Sequence, residues 1–276
     1  MKRLALLIIN PGQMGDANYA PSVMSAMARY KNFLKSPAGG YWRDDEIIEL
    51  ERSVVPMSLQ SSFVFKLRDL NQPDVDYSLI VFIGHGGAAK GVESIQLEDG
   101  EILPIKCLLE APNNPNPLKR TVVIDACRTY AAVDDLQIIL ETRAFSGDGQ
   151  IQGNLCKDYY NSIIENASAH VELLQSTQYG QYAQSSSTGT AFTDAMFGTI
   201  RKNSALWNAQ ALKDDYGKMC VVFPDILEEV REKMAGLGQV PEFTNPSDEC
   251  FPVYAVARPT TRVINGGGSL VGIIND

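Results

Sequence analysis

The sequence predicts an α/β domain, a parallel or mixed sheet flanked by helices, on the strength of three observations. The stretches Ser78 to Gly87 (SLIVFIGHGG) and Thr121 to Tyr130 (TVVIDACRTY) each hold a run of apolar, largely β-branched residues, the pattern of strands buried on both faces of a parallel sheet. Both runs stop at a reactive side chain, His85 in the first and Cys127 in the second. Along the rest of the chain, segments of strand and helix periodicity alternate, which calls for right-handed crossovers between parallel strands. In such a sheet the carboxyl ends of neighbouring strands open on one crevice. A His and a Cys at adjacent strand ends would converge there, as a thiol nucleophile and its base require.

Arg3 to Asn10 reads as the first strand, and Pro21 to Leu34 as a helix in which Val23, Met24, Met27, Tyr30 and Leu34 keep helical spacing, with Pro21 suited to the first turn. Glu46 to Leu50 is a short strand, Leu59 to Leu70 a helix, and Ser78 to Ile83 the strand before His85. Val92 to Leu103 alternates polar and apolar residues around Asp99-Gly100, a hairpin signal. Ile105 to Glu110 is expected as a helical turn, Pro112 to Pro117 as a loop, and Thr121 to Asp125 as the strand before Cys127. Thr129 to Leu155 holds no sustained periodicity and contains Gly147, Gly149 and Gly153; a connection this long usually has a functional role or is mobile. Helix Asp158 to Asn166, strand His170 to Leu174, helices Gly189 to Lys202 and Ile226 to Met234, and a last strand Phe251 to Val256 complete the domain. Residues 1–258 are expected to form one domain, and 259–276, with Gly266, Gly267 and Gly268, a Gly-rich tail or an extra hairpin.

With 276 residues and 45% hydrophobic content, the chain can bury one substantial core. A net charge of −9 argues against nucleic acid or an anionic membrane as partner, since no basic patch is present to release counterions. MKRLALLII begins like a signal peptide, but Asn10, Pro11 and Gly12 follow without a small-residue cleavage site, so it reads as a strand. Five widely spaced cysteines, Cys107, Cys127, Cys156, Cys220 and Cys250, point to a reducing, cytoplasmic setting rather than a disulfide framework. With only His85 and His170 and no C-x-x-C pair, neither a metal nor another cofactor is expected.

Four of the cysteines read as core, the usual place of an isolated thiol. Cys127 differs because Asp125 and Arg128 flank it; charged groups resist full burial, and a cation such as Arg128 would favour the thiolate. His85 lies between glycines, which leaves the imidazole uncrowded and the Gly86 amide accessible. His170 has no companion motif and reads as structural. His85-Gly86-Gly87 also looks like the oxyanion stretch of lipase-type hydrolases, but no G-x-S-x-G occurs, and that pentapeptide carries their nucleophile. The phosphate-cradling G-x-x-x-x-G-K-[ST] is absent too.

At this point the chain resembles the caspase-like cysteine peptidases, above all their metacaspase, paracaspase and bacterial branches. IGHGG is similar to the family's His-Gly motif and DACR to its Asp-x-Cys-Arg form, and the family's His lies about 50 residues before its Cys, an interval comparable to that here. Asp99-Gly100, Tyr159-Tyr160-Asn161, Thr188 to Thr193 and Phe251-Pro252-Val253 extend the resemblance over roughly Lys2 to Val256. It implies a six-stranded, mainly parallel sheet, Cys127 as nucleophile, His85 as general base or proton shuttle, and the Gly86 and Cys127 amides as oxyanion donors. Asp125 stands where metacaspases and paracaspases select Arg or Lys, a carboxylate being a natural partner for a guanidinium; a strand-end cap is the plainer alternative.

Two departures bear on specificity and local structure. The second pocket aspartate of metacaspases has no counterpart in Ser22 to Met27, which leaves a contribution to Asp16 or to none. Thr129-Tyr130 replaces the family's usual Ser-Gly. The resemblance implies protein substrates, an upstream activating protein, and a place in a bacterial regulated-death or defence pathway. An acidic specificity, as in true caspases, and a catalytically silent interaction module are the alternatives, with separase-like and clostripain-like peptidases as neighbours sharing the dyad. Within the loop after Cys127 the only basic residue between Arg128 and Lys157 is Arg143. A protease of basic specificity would cut itself there, unless the loop merely gates the cleft.

Overall fold

The computed structural model describes the chain apart from residues 16–18, 51–57, 90–91, 112–113, 115, 129–149, 186–187, 214–219 and 256–276. In chain order the elements are β1 (Arg3–Asn10), α1 (Ser22–Lys35), β2 (Ile47–Glu49), α2 (Leu59–Leu70), β3 (Tyr77–Gly84), β4 (Gly86–Ala89), β5 (Val92–Gln96), β6 (Ile102–Pro104) and α3 (Lys106–Leu109). They continue with β7 (Arg120–Ala126), α4 (Gln150–Asn166), β8 (Val171–Gln175), α5 (Ala191–Lys213), β9 (Cys220–Val222), α6 (Phe223–Met234), β10 (Glu242–Thr244) and β11 (Pro252–Ala255).

Six strands form the main sheet in the order β10-β8-β7-β3-β1-β2. The pairs β1·β2, β1·β3, β3·β7 and β7·β8 are parallel, and only the edge pair β10·β8 is antiparallel. From β1 the chain moves outward to β2 and then returns to place β3 on the other side of β1, so the order reverses at the β1–β3 boundary, where open α/β sheets form their binding crevice.

Strand alternation divides the core into two layers. Ala5, Leu7, Leu79, Val81, Ile83 and Val123 face one cluster with α1, α4, α5 and α6. Leu6, Ile8, Ile80, Phe82, Val122 and Ile124 face the other, covered by α2, α3 and the antiparallel β4-β5-β6 sheet. Because successive residues point to opposite faces, only strands apolar at every position could be covered on both sides, which is why the two runs are continuous. Helix α2 starts where Ser58 accepts a hydrogen bond from the Ser61 N–H at 3.1 Å, an N-cap.

The sixth strand is not the one the sequence indicates. Pro252–Ala255 leaves the main sheet and pairs with β9 in a sheet of two strands, while Glu242–Thr244 takes the edge beside β8. Three residues, one of them charged, carry no apolar run for a sequence reading to detect. Strand β4 is missed for a similar reason, since Gly-Gly-Ala-Ala has poor strand propensity. The loop expected from Thr129 to Leu155 is shorter at its end, because α4 already begins at Gln150. Residues 259–276, and with them the expected tail, lie outside the described residues. Among the described residues no helix is long and apolar enough to cross a membrane.

Phe82 is fully buried in the second layer, so Phe82→Ala should destabilise the domain by about 3 to 5 kcal/mol. Val64, exposed on α2, should change stability by less than about 0.5 kcal/mol on truncation; urea denaturation of both variants checks the contrast.

Candidate active site

Strands β3 and β7 run in register from Ser78↔Arg120 to Gly84↔Ala126. His85 and Cys127 are the next residue on each strand, so the register delivers both to the carboxyl edge side by side, at strands about 4.8 Å apart. Gly84 has φ of 152° and a Cβ there would lie 2.4 Å from the Asn10 carbonyl oxygen, so glycine is required where the chain turns out of β3. At Gly86 a Cβ would meet Ala126 Cβ at 2.9 Å and the Cys127 carbonyl oxygen at 3.0 Å. The backbone after His85 is therefore pressed against the Cys127 peptide.

The Gln96 N–H donates to the His85 carbonyl at 2.9 Å, and Gly86 faces Ile95. That geometry makes Gly86–Ile95 a non-hydrogen-bonded pair of the ladder, with the Gly86 N–H turned away from β5. His85 Nε2 is buried and has no hydrogen-bond partner among the described residues. Cys127 Sγ accepts a hydrogen bond from the Ala183 N–H at 3.2 Å and lies 3.8 Å from the Ala183 carbonyl oxygen. Burial pushes the Cys127 thiol up; the Ala183 N–H works against that shift and the Asp125 charge adds to it.

The expectation that Asp125 and Arg128 resist burial is overturned. Asp125 is 1% exposed and Arg128 8%, because each has polar partners close by. The Arg128 guanidinium is ion-paired with Glu93 of β5 and Glu242 of β10, and it donates to the Thr177 carbonyl at 2.9 Å. Gln175 Nε2 in turn donates to Glu93 at 2.8 Å. With two carboxylates on it, this cation is not left over to stabilise the thiolate, as the sequence led one to expect.

Asp125 shares strand parity with Val123 and faces the start of α5. Thr190 caps that helix, accepting from the Thr193 N–H at 3.2 Å, and its hydroxyl donates to Asp125 Oδ2. The Thr193 hydroxyl donates to the same oxygen at 3.0 Å. Oδ1 is buried without a well-formed hydrogen bond among the described residues. Burial raises the carboxyl to about 6, against the favourable hydroxyls of Thr190, Ser176 and Thr193, and the Asp194 charge adds to the rise. Asp194 is itself ion-paired with Arg29 of α1.

His85, Gly86 and Cys127 thus come together, with Asp125 on β7 two residues before Cys127. Arg143 and Asp16 lie outside the described residues. His170 is away from this edge, stacked on Phe251 at 4.2 Å between ring centroids. The residues a sequence reading misses are Ala183, which acts through its backbone, Glu93 and Glu242, and the two threonines. Thr190 ahead of an apolar helix carries a capping signal, and both threonines lie in the stretch Thr188 to Thr193 that carries part of the resemblance; Ala183, Glu93 and Glu242 carry none. Among the described residues no cluster of three or more His, Cys, Asp and Glu is placed to hold a metal.

Residues 60–251 match the family model described as a caspase domain. That is more than half of the chain, and the chain belongs to the caspase family. A Geobacter sulfurreducens protein solved by structural genomics superposes with a TM-score of 0.52 at 17% identity, over 94% of this chain and 98% of that one. Caspase-1 from Spodoptera frugiperda gives 0.47 at 15% identity over 88% and 86%. The Drosophila initiator caspase Dronc gives 0.44 at 12% identity over 91% and 82%. No curated protein sequence matches the chain.

The raised carboxyl of Asp125 has a sign that can be measured. Between the unfolded value of 3.8 and the folded value of about 6 the native state binds the extra proton, so the carboxyl's contribution becomes destabilising as pH rises through that window. Asp125→Asn should therefore be more stable than the wild type at pH 7.5, by up to about 3 kcal/mol, and the gain should vanish below about pH 4. Urea denaturation of both proteins at the two pH values checks it.

Proposed function

We propose that this chain is a cysteine endopeptidase that cuts proteins after Arg or Lys, with Cys127 and His85 as its catalytic pair. The observation that carries the reading is the β3–β7 register, Gly84 against Ala126, which puts a thiol and an imidazole at neighbouring strand ends. Family membership supports the same chemistry.

In this mechanism His85 Nε2 takes the Cys127 proton and the thiolate attacks the peptide carbonyl. The resulting oxyanion is held by the Gly86 N–H, which the ladder leaves unused, and by the Cys127 N–H. Collapse forms a thioester, and His85 returns its proton to the leaving amine. Water then attacks the thioester with His85 as base, and the thiol is regenerated. A buried Nε2 without a hydrogen-bond partner among the described residues suits this proton traffic, since catalytic hydrogen bonds often close only when substrate is present.

Asp125 is the specificity element in this reading. A carboxylate with a raised pKa and one buried oxygen without a well-formed hydrogen bond among the described residues gains most from an incoming guanidinium or ammonium, which restores its ionised form. It opposes an acidic side chain. The physiological setting that goes with this reading is a regulated-death or defence pathway with an upstream activator, and self-cleavage at Arg143 belongs to it as well.

Peptide-library cleavage by purified wild type, Cys127→Ala, His85→Ala and Asp125→Asn tests the assignment. Loss of at least ~10²-fold to 10⁴-fold is expected for His85→Ala, abolition for Cys127→Ala, and loss of the Arg/Lys preference for Asp125→Asn. For the wild type, KM for an Arg peptide should fall as pH rises through about 6, as Asp125 ionises. Cleavage by Cys127→Ala would remove the peptidase reading, and a wild-type preference for Asp would remove the pocket assignment alone.

A further inference from the structure

The backbone from Ser176 to Gln184 leaves β8, passes the nucleophile and returns toward α5. Besides the Ala183 contact, it is fastened to the end of β7 by the Arg128 N–H donating to Gln181 O at 3.0 Å and the Gly180 N–H donating to Arg128 O at 3.4 Å. On its other side two glutamine side chains hold it. Gln239 is 0% exposed. Its Nε2 donates to the Ser176 carbonyl at 2.9 Å and its Oε1 accepts from the Gln184 N–H at 2.9 Å. One side-chain amide therefore closes both ends of the segment, using a donor and an acceptor of a single planar group. Gln181 Oε1 adds bonds from the Val240 N–H at 2.9 Å and the Gln178 N–H at 3.0 Å.

We infer that Gln239 is a positioning residue for the nucleophile: with Gln181 it clamps Ser176 to Gln184 so that the Ala183 N–H is held on the Cys127 sulfur and favours the thiolate. A donor aimed at sulfur stabilises its charged form, whereas burial opposes it. Among the described residues, the charged and titratable groups around the sulfur do not replace that donor. Asp125 on β7 repels a thiolate, and Arg128 is taken up by Glu93 of β5 and Glu242 of β10. His85 stands at the end of β3, and Tyr179 and Tyr182 belong to the clamped segment. The Ala183 N–H on the sulfur favours the ionised form, and its position depends on a loop with no helix or strand of its own.

The role rests on the reading of Cys127 as nucleophile, but thiol titration exists whether or not the chain cuts peptides. The experiment is the rate of Cys127 alkylation by iodoacetamide against pH in wild type, Gln239→Met and Gln181→Ala, with peptide mass mapping to separate Cys127 from the exposed Cys107. In both variants the midpoint should move up by about one pH unit, a tenfold loss of thiolate at a given pH, while circular dichroism remains native. Glutamines that only stabilise the fold would lower the melting temperature and leave the midpoint where it is, and that result overturns the inference. Gln181 is half-buried, so Gln181→Ala carries the test alone if Gln239→Met does not fold, and an unmoved midpoint there is equally decisive. A shifted midpoint in a protein that cuts no peptide would sustain the clamp and refute the peptidase.

Discussion

The in-register parallel pairing of β3 with β7 is the constraint on which the rest of the site depends. A slip of one residue would carry each side chain of one strand to the opposite face of the sheet. Ile80 and Phe82 pack in one layer while Leu79, Val81 and Ile83 pack in the other, so a slip would exchange side chains of different size and shape between two close-packed layers. Register fixed in this way determines which residues emerge together at the carboxyl edge, and those are His85 and Cys127. The glycines on either side of His85 serve the same end. Gly84 lets β3 turn against Asn10, and Gly86 lets the next strand lie against Ala126 and the Cys127 carbonyl.

Buried charge is placed at both ends of β7. At the far end from the site, Arg120 is fully buried and its pKa is lowered to about 10 by burial. It donates to Ser78 Oγ at 2.8 Å and to the Leu108 carbonyl at 2.9 Å, which ties β7 to β3 and α3. At the site end, Arg128 joins β7 to the β4–β5 hairpin through Glu93 and to the sheet edge through Glu242. Leaving a buried charge without its partner costs about 3 to 5 kcal/mol, so these contacts hold the elements in place around Cys127. The hairpin that Glu93 anchors is also the one that carries Gly86.

The parts of this arrangement that can be read from sequence are those with a local signal. Continuous apolar runs announced β1, β3 and β7, helical spacing announced α1, and the helix expected over Leu59 to Leu70 has the bounds observed for α2. His85 and Cys127 were legible because each ends such a run. The contacts that tune the site were not, since they depend on elements distant in the chain. Glu93 and Glu242 are ordinary acids in sequence, and only the fold brings them to Arg128. Ala183 contributes a backbone amide, which leaves no trace in residue type. The same distance explains the error over Arg128: proximity in sequence to Cys127 says nothing about where a long side chain finds its partners. Strand β10 was invisible because its place is decided by tertiary pairing with β8 rather than by its three residues.

The most direct measurement is the site and rate of modification by a peptidyl acyloxymethyl ketone ending in Arg, which reacts with a thiolate positioned as a peptidase nucleophile. In wild type a single adduct should map to Cys127, and in His85→Ala the rate should fall by ~10²-fold or more while the fold persists. An adduct on the exposed Cys107 instead, or equal rates with and without the imidazole, would contradict a catalytic pair assembled by the β3–β7 register.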